Sequence, residues 1–387
     1  MRDNDGDKSV SMSVLIMEMK KMTRAVLVAA VLVLPSMALA QSGPASRDGS
    51  RSPIQDAVAA ALGSHVAIAT VVEAPPAAQQ APAARGGREP RRRPSMVGYI
   101  SDSSIGSQVR IRFDAGYEAS VPDRAEFFYA KCGCYRDIAD LIPAAFDPSS
   151  PGPGPGVVTD LDFQQLYVLA EYAPHERVSV FGEVPIRWLK PRAFVPGLGS
   201  FDNQSGLSDI RFGVKIGAVS LPERQVTLQL QLAAPTGEPL NGLGTDHWSV
   251  EPTLLYFEQV TDRFAIEAQF GDVIPTDGSA GVPPGGSEKF SGSVLYYGIG
   301  PSYEVYSGDQ VRIAPVVELV GWRVNGGFET VLDPLFPSSD GTNIVNLKFG
   351  VRLTMRDRSS IYIGYGHALT DAVWYDDIVR AEYRVGF

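Results

Sequence analysis

From Gln108 to the end of the chain, apolar and polar residues take turns. In "QVRIRFDAGY", Val109, Ile111, Phe113, Ala115 and Tyr117 share one parity, and Gln108, Arg110, Arg112 and Asp114 the other. Successive side chains of a β-strand point to opposite faces, so such a stretch predicts a strand with one greasy and one charged face. "VSVFGEVPIRW", "LSDIRFGVKIGA" and "QVTLQLQLA" repeat the pattern. Further segments start near Leu161, Ser249, Arg263, Gly292, Gln310, Asn343, Ser360 and Asp377. The total is about twelve strands of about nine to twelve residues each, a length that crosses hydrocarbon at a tilt. Connections alternate: "APHER", "LPER", "VTDR", "YSGDQ" and "RDRSS" are short, whereas 119–160, 190–206, 235–248, 274–291, 325–342 and "DAVWYDD" are longer.

A secreted β-sandwich also alternates, but it buries its apolar parity and shuffles its connections. Long strands in one meander, with short turns at one end and long loops at the other, fit a membrane barrel instead. The expected fold is all-β: a transmembrane antiparallel up-and-down β-barrel of about twelve strands, preceded by a disordered N-terminal arm. The last segment, "VRAEYRVGF", sets Val379, Ala381, Tyr383, Val385 and Phe387 against Arg380, Glu382, Arg384 and Gly386. It must pair with the first strand, because an open sheet edge cannot face lipid. Tyr117, Trp188, Tyr256, Tyr375, Tyr383 and Phe387 are expected at headgroup depth. A final strand ending in Phe387 resembles the signal read by the assembly machinery of bacterial outer-membrane barrels.

Near the start, Lys20, Lys21 and Arg24 precede the apolar run "AVLVAAVLVL" and then Ala38–Ala40, the layout of a signal peptide cut between Ala40 and Gln41. The run is too short to span a bilayer, which takes about twenty apolar residues. Acidic residues before it suit a secretion signal poorly, and Met17, Met19 and Met22 are candidate starts. Three regions follow: a signal peptide over 1–40, a Pro/Ala-rich periplasmic arm over 41–107, and the barrel over 108–387. The arginines at 85, 88, 91, 92 and 93 read as a solvated basic linker. The expected location is the cell outer membrane.

The formal net charge is -10, which argues against nucleic-acid binding. On the barrel reading the polar parity lines the lumen: Arg110, Arg112, Asp114, Glu183, Arg187, Asp209, Arg211, Lys215, Arg312, Glu318, Lys348, Arg352, Arg380, Glu382 and Arg384, with Glu251 and Glu267. Either these line a narrow aqueous path that selects small solutes by size and charge, or they cross-link the interior as ion-pair ladders. The first loop, with Phe127–Phe146, is expected to fold inward and narrow the mouth. Cys132 and Cys134 read as bland thiols or a loop staple, a local disulfide being open to them in an oxidising compartment. The four histidines belong to no Ser-His-acid set, so no enzyme, cofactor or metal site is expected. The expected role is a channel or transporter for small solutes with a mixed-charge polar lumen. A structural or adhesive barrel with ligand-binding outer loops is the alternative. Expected partners are outer-membrane lipid, the barrel-assembly machinery and small solutes.

The stretch Gly206–Asp272 resembles a family of bacterial outer-membrane transporters associated with the meta-cleavage pathway of phenol degradation. The resemblance is carried by Gly206, Ser208 and Asp209, by Pro235, Thr236 and Gly237, and by Gly244, Trp248 and Pro252. It implies an outer-membrane channel or transporter and leaves the solute open. The Pro-rich arm and the Cys-bearing first loop depart from the family pattern.

Overall fold

The computed structural model describes residues 94–119, 158–197, 199–276, 291–327, 338–356 and 358–387. The signal peptide with Ala40 and Gln41, the arm upstream of residue 94, and the first loop with Cys132, Cys134 and Phe127–Phe146 lie outside these residues.

Each alternating segment forms a strand. In chain order they are β1 (Gln108–Ala119), β2 (Val158–His175), β3 (Val178–Phe194), β4 (Gln204–Leu207), β5 (Ile210–Ser220), β6 (Arg224–Ala234), β7 (Ser249–Gln259), β8 (Phe264–Pro275), β9 (Ser293–Tyr303), β10 (Tyr306–Ser307), β11 (Val311–Asn325), β12 (Asn343–Met355), β13 (Ser359–Ala368) and β14 (Asp377–Gly386). The short β4 and β10 sit beside β3 and β11, in stretches expected to be connections. The other twelve pair antiparallel in one ring. β14 closes it on β1, from Gln108↔Gly386 to Tyr117↔Asp377. β2 and β3, at 18 and 17 residues, exceed the expected length. They stay paired out to Val158↔Phe194, whereas β5 pairs with β3 only over Val178–Glu183 and β4 continues that edge over Ile186–Leu189, so β2 and β3 run on together beyond it.

The two parities meet opposite surroundings, and the sense is inverted relative to a water-soluble protein. Ile363 and Phe270 are 57% and 55% exposed on the outside, while Glu318 and Arg352 are 0% exposed within. Such a closed barrel is at rest only with its girdle in hydrocarbon, where pairing around the ring satisfies every strand's backbone. The protein is an outer-membrane β-barrel. Its short turns, and the start of β1, mark the periplasmic end, and its long connections the outer end.

At the barrel's closing seam Arg380 donates from Nε and a terminal nitrogen to both oxygens of Asp114, at 2.6 and 2.7 Å. A planar guanidinium matches a carboxylate in this two-bond fork, so the seam is held by side chains as well as backbone. Trp188, Tyr383 and Phe387 are exposed, as expected of girdle aromatics. Tyr375 is a correction. It is 4% exposed and faces the lumen, because the connection before β14 dips into the mouth.

Candidate functional site

A segment expected to lie outside the barrel occupies its interior. Residues 94–107, assigned from composition to the periplasmic arm, run through the lumen, with Val97, Met96 and Ile100 at 0%, 4% and 4% exposure. Ser107 is tied at the periplasmic end, where its carbonyl accepts from the Phe387 N–H at 3.1 Å. Pro94 lies among Phe257, Gln259 and Arg263, by the periplasmic turn between β7 and β8. Both ends of this strap are therefore at the same mouth, and its apex, Gly98–Ser101, stands farthest into the barrel.

The strap has no strand partner, so its backbone polar groups must be met by lumen side chains. Glu267 accepts from the N–H groups of Met96 and Val97 at 2.8 and 3.3 Å. Glu318 accepts from Gly98, Tyr99 and Ile100 at 2.8–2.9 Å. Gln269 accepts from Ser101 at 2.9 Å. In the other direction, Arg352 donates to the carbonyls of Met96 and Val97 at 2.9 and 2.6 Å, and Arg380 to that of Gly98 at 2.6 Å. Thr227 donates to the Ser103 carbonyl at 2.6 Å. Asp102 binds Arg384 at 2.6 Å. Burial pushes the Asp102 carboxyl up, but Arg384 and Lys215 outweigh it and hold the group below the ordinary carboxylate value. Met96, Val97 and Ile100 pack on Ala314, Val316, Val320 and Tyr362. An irregular chain thus lies in the barrel with its polar groups and its apolar side chains both accommodated.

Gly98 permits the closest approach: a Cβ there would overlap the Tyr362 ring. Gly98→Val is therefore expected to displace the strap while leaving the wall intact. Limited proteolysis in detergent should then cut between residues 94 and 107, with the barrel core resistant. Equal resistance of the strap in both proteins would contradict this placement.

Above the strap is a vestibule of about 310 Å³, lined near the outer mouth by Thr245, His247 and Trp374 and floored by Tyr99, Ser101 and Asp102. Eleven of the seventeen charged residues expected in the lumen line it: Arg110, Arg112, Asp114, Glu183, Arg187, Asp209, Arg211, Lys215, Glu251, Lys348 and Arg380. Glu318, Arg352, Glu382 and Arg384 belong instead to the strap's bed and the ion pairs around it. Arg312 pairs with Glu304 at 2.9 Å.

One carboxylate, Glu183, is met by three arginines, at 3.2 Å from Arg110 and 3.7 Å from Arg112 and Arg211. The Arg112 guanidinium lies 3.8 Å from the centre of the Tyr167 ring. Lys348 donates to the Tyr375 hydroxyl at 2.6 Å and stands 4.0 Å from the Tyr99 ring centre. The strap residues and the aromatics Tyr167, Trp322, Trp374 and Tyr375 were not among the expected site residues. The signal available in sequence was the apolar "MVGYI" at 96–100, which a solvated arm has no reason to carry.

Asp209 faces the vestibule but serves the loop above it. Its carboxylate accepts from the N–H groups of Gly237 and Thr245 at 3.0 and 2.8 Å and from the Thr245 hydroxyl at 2.9 Å. Ser208 donates to the Leu243 carbonyl at 2.5 Å. Ser208 and Asp209, Gly237 of the Pro235–Gly237 piece, and Thr245 next to Gly244 therefore meet as one clamp, which fixes the connection between β6 and β7 at the outer rim.

A model of the family described as "Putative MetA-pathway of phenol degradation" matches residues 163–373. The chain belongs to this family. The match runs from β2 to the connection before β14 and takes in the whole rim clamp, so the clamp lies within the family's matched region. No curated protein sequence matches the chain. Among solved structures, it is similar to an outer membrane channel from Pseudomonas putida at 12% identity, covering 73% of this chain and 96% of that one, with a TM-score of 0.43. It is also similar to the β-domain of the Bordetella autotransporter BrkA (12% identity, 73% and 100% covered, TM-score 0.42) and to the NanC porin (8% identity, 73% and 98% covered, TM-score 0.39).

Proposed function

We propose that this family member is an outer-membrane channel for small solutes, closed at rest by residues 94–107 and open when they withdraw. The observation that carries the reading is the vestibule itself. It is lined by charged side chains and floored by the strap residues Tyr99, Ser101 and Asp102. Because both strap ends lie at the periplasmic mouth, the segment can leave without being threaded through the ring. Arg110, Arg112, Glu183, Arg187 and Arg211 then face the solute and weigh its charge, while Glu318, Arg352, Arg380, Glu382 and Arg384 hold the gate in its resting position and line the path once it has left. In the same reading residues 1–40 direct export and are removed at Ala40, the chain upstream of Pro94 is periplasmic, and Phe387 is read by the assembly machinery.

Conductance in planar bilayers tests this. The full chain should show small, infrequent openings, and a chain lacking 94–105 should conduct steadily. A structural or adhesive barrel, the competing reading, expects neither protein to conduct.

A further inference from the structure

The vestibule is chemically two-sided. On β1, β3 and β5 it carries Arg110, Arg112, Arg187 and Arg211, with the carboxylates Asp114 and Glu183 and, from β7, Glu251. Arg187 is hydrogen-bonded by Gln165, once that amide is oriented to accept. Arg110 donates to Glu183. Arg112 and Arg211 reach carboxylates only at 3.5 Å or more, and the Arg112 Nε is buried without a hydrogen-bond acceptor. The nearest oxygen to Arg112, on Asp114, is already taken by the fork from Arg380. A guanidinium has five N–H donors; Arg112, 14% exposed at its side chain, leaves a buried one unmet, while Arg211, at 35%, turns donors to the cavity.

A different arc of the ring supplies the other wall. Val294, Val320, Trp322, Trp374, Tyr375 and Ile378 line the same space from the interior's apolar clusters, all but Trp322 being 2–4% exposed, so Trp322 is the most open of them. Trp374 and Tyr375 are brought there by the connection before β14, and the Tyr375 ring is braced by Phe163 at 6.0 Å between centres. A cavity of about 310 Å³ has room for a single ring with a short substituent.

We propose that the vestibule binds a small organic monoanion with an apolar, ring-sized body. Its carboxylate is held by Arg112 and Arg211 and its body rests against Trp322, Trp374 and Tyr375. This rests on the channel reading and names its class of solute. A carboxylate would take up the unmet donor of Arg112 and the cavity-facing donors of Arg211, in the forked geometry that guanidinium favours. Tyr167 beneath Arg112 fixes the plane of that fork. An inorganic anion would use the cationic wall and leave the aromatic wall idle. A neutral ring would do the reverse.

Calorimetric titration of the purified full chain in detergent with benzoate, benzamide and acetate tests this. Benzoate should bind saturably at one site, with benzamide and acetate at least about tenfold weaker, since each loses one of the two walls. Arg112→Gln and Arg211→Gln should each weaken benzoate about tenfold, and Arg112→Lys less, because charge persists without the fork. Benzamide or acetate binding as tightly as benzoate, no saturable binding, or benzoate binding unchanged in the glutamine variants would overturn the proposal. The three-probe comparison on the unaltered protein decides the matter if a variant does not fold. Conduction without benzoate selectivity sinks this proposal alone. Benzoate binding to a barrel that never conducts sinks the channel reading alone.

Discussion

Excising residues 94–105 should raise the mean conductance of the purified barrel several-fold and leave the barrel folded. The expectation follows from what each side of the strap touches. Its backbone occupies Glu267, Glu318, Arg352 and Arg380, and Asp102 occupies Arg384. In a dry core, losing such partners would leave buried charges uncompensated, at a cost of about 3–5 kcal/mol each. Here the vacated volume joins the outer vestibule to the periplasm and fills with water, which solvates those groups. The wall itself is closed by backbone pairing around all twelve long strands, and none of that pairing runs through the strap. Heat-modifiable gel mobility should therefore persist while ion flow rises. A barrel that stays closed without residues 94–105 would contradict the gate and favour the structural or adhesive reading.

Glu318→Ala should produce the largest effect of any single substitution in the lumen. This side chain is 0% exposed and accepts from three consecutive backbone N–H groups and from the Tyr362 hydroxyl. Three successive amides on one carboxylate form an anion-binding nest inverted in role, with the wall supplying the anion and the strap the donors. Without the carboxylate those amides have no replacement in the wall, and hydrogen bonds to a charged acceptor are worth about 1.5–3 kcal/mol each. The strap apex should detach. Amide exchange at 98–100 should accelerate from the slowest class to near the free-chain rate, and conductance should become noisy. Glu318→Gln keeps one acceptor oxygen and should fall between the two. Unchanged exchange at Gly98, Tyr99 and Ile100 in Glu318→Ala would contradict the assigned contacts.

Alternation was enough to read the ring. Ser249, Asn343 and Asp377 were expected as strand starts and are strand starts, because only two solvents, hydrocarbon and water, meet the two faces of a membrane strand. The polar parity of β14 was equally legible: Arg380, Glu382 and Arg384 are 9%, 3% and 6% exposed, and Val379 and Tyr383 lie on the other face. What alternation does not encode is a partner without periodicity. The strap has neither helical nor strand spacing, since its hydrogen bonds go to side chains scattered over β6, β8, β11, β12 and β14. Pairing on the lumen wall was harder to read for the same reason. Register sets Glu318 opposite Lys348, yet Glu318 serves the strap and Lys348 turns to Tyr375. Asp209 follows the alternation, but its partners Gly237 and Thr245 come from a loop, and distances across a loop are not written in a parity.

The central claim is that residues 94–107 fill the lumen and can leave it. A reversible lock tests this most directly. Ser101 and Gln269 are joined by a 2.9 Å hydrogen bond from the Ser101 N–H to the Gln269 side chain. Replacing both with cysteine, with Cys132 and Cys134 changed to serine, should let a short bis-methanethiosulfonate linker join strap and wall through two reducible disulfides, since a glutamine reaches farther than a direct disulfide. Conductance of the linked protein should stay near the closed level, and reductant added on the periplasmic side should release frequent openings in the same membrane. If the cysteines cross-link and conductance is the same before and after reduction, the strap is no gate; if they never cross-link in the folded barrel, it does not lie against β8.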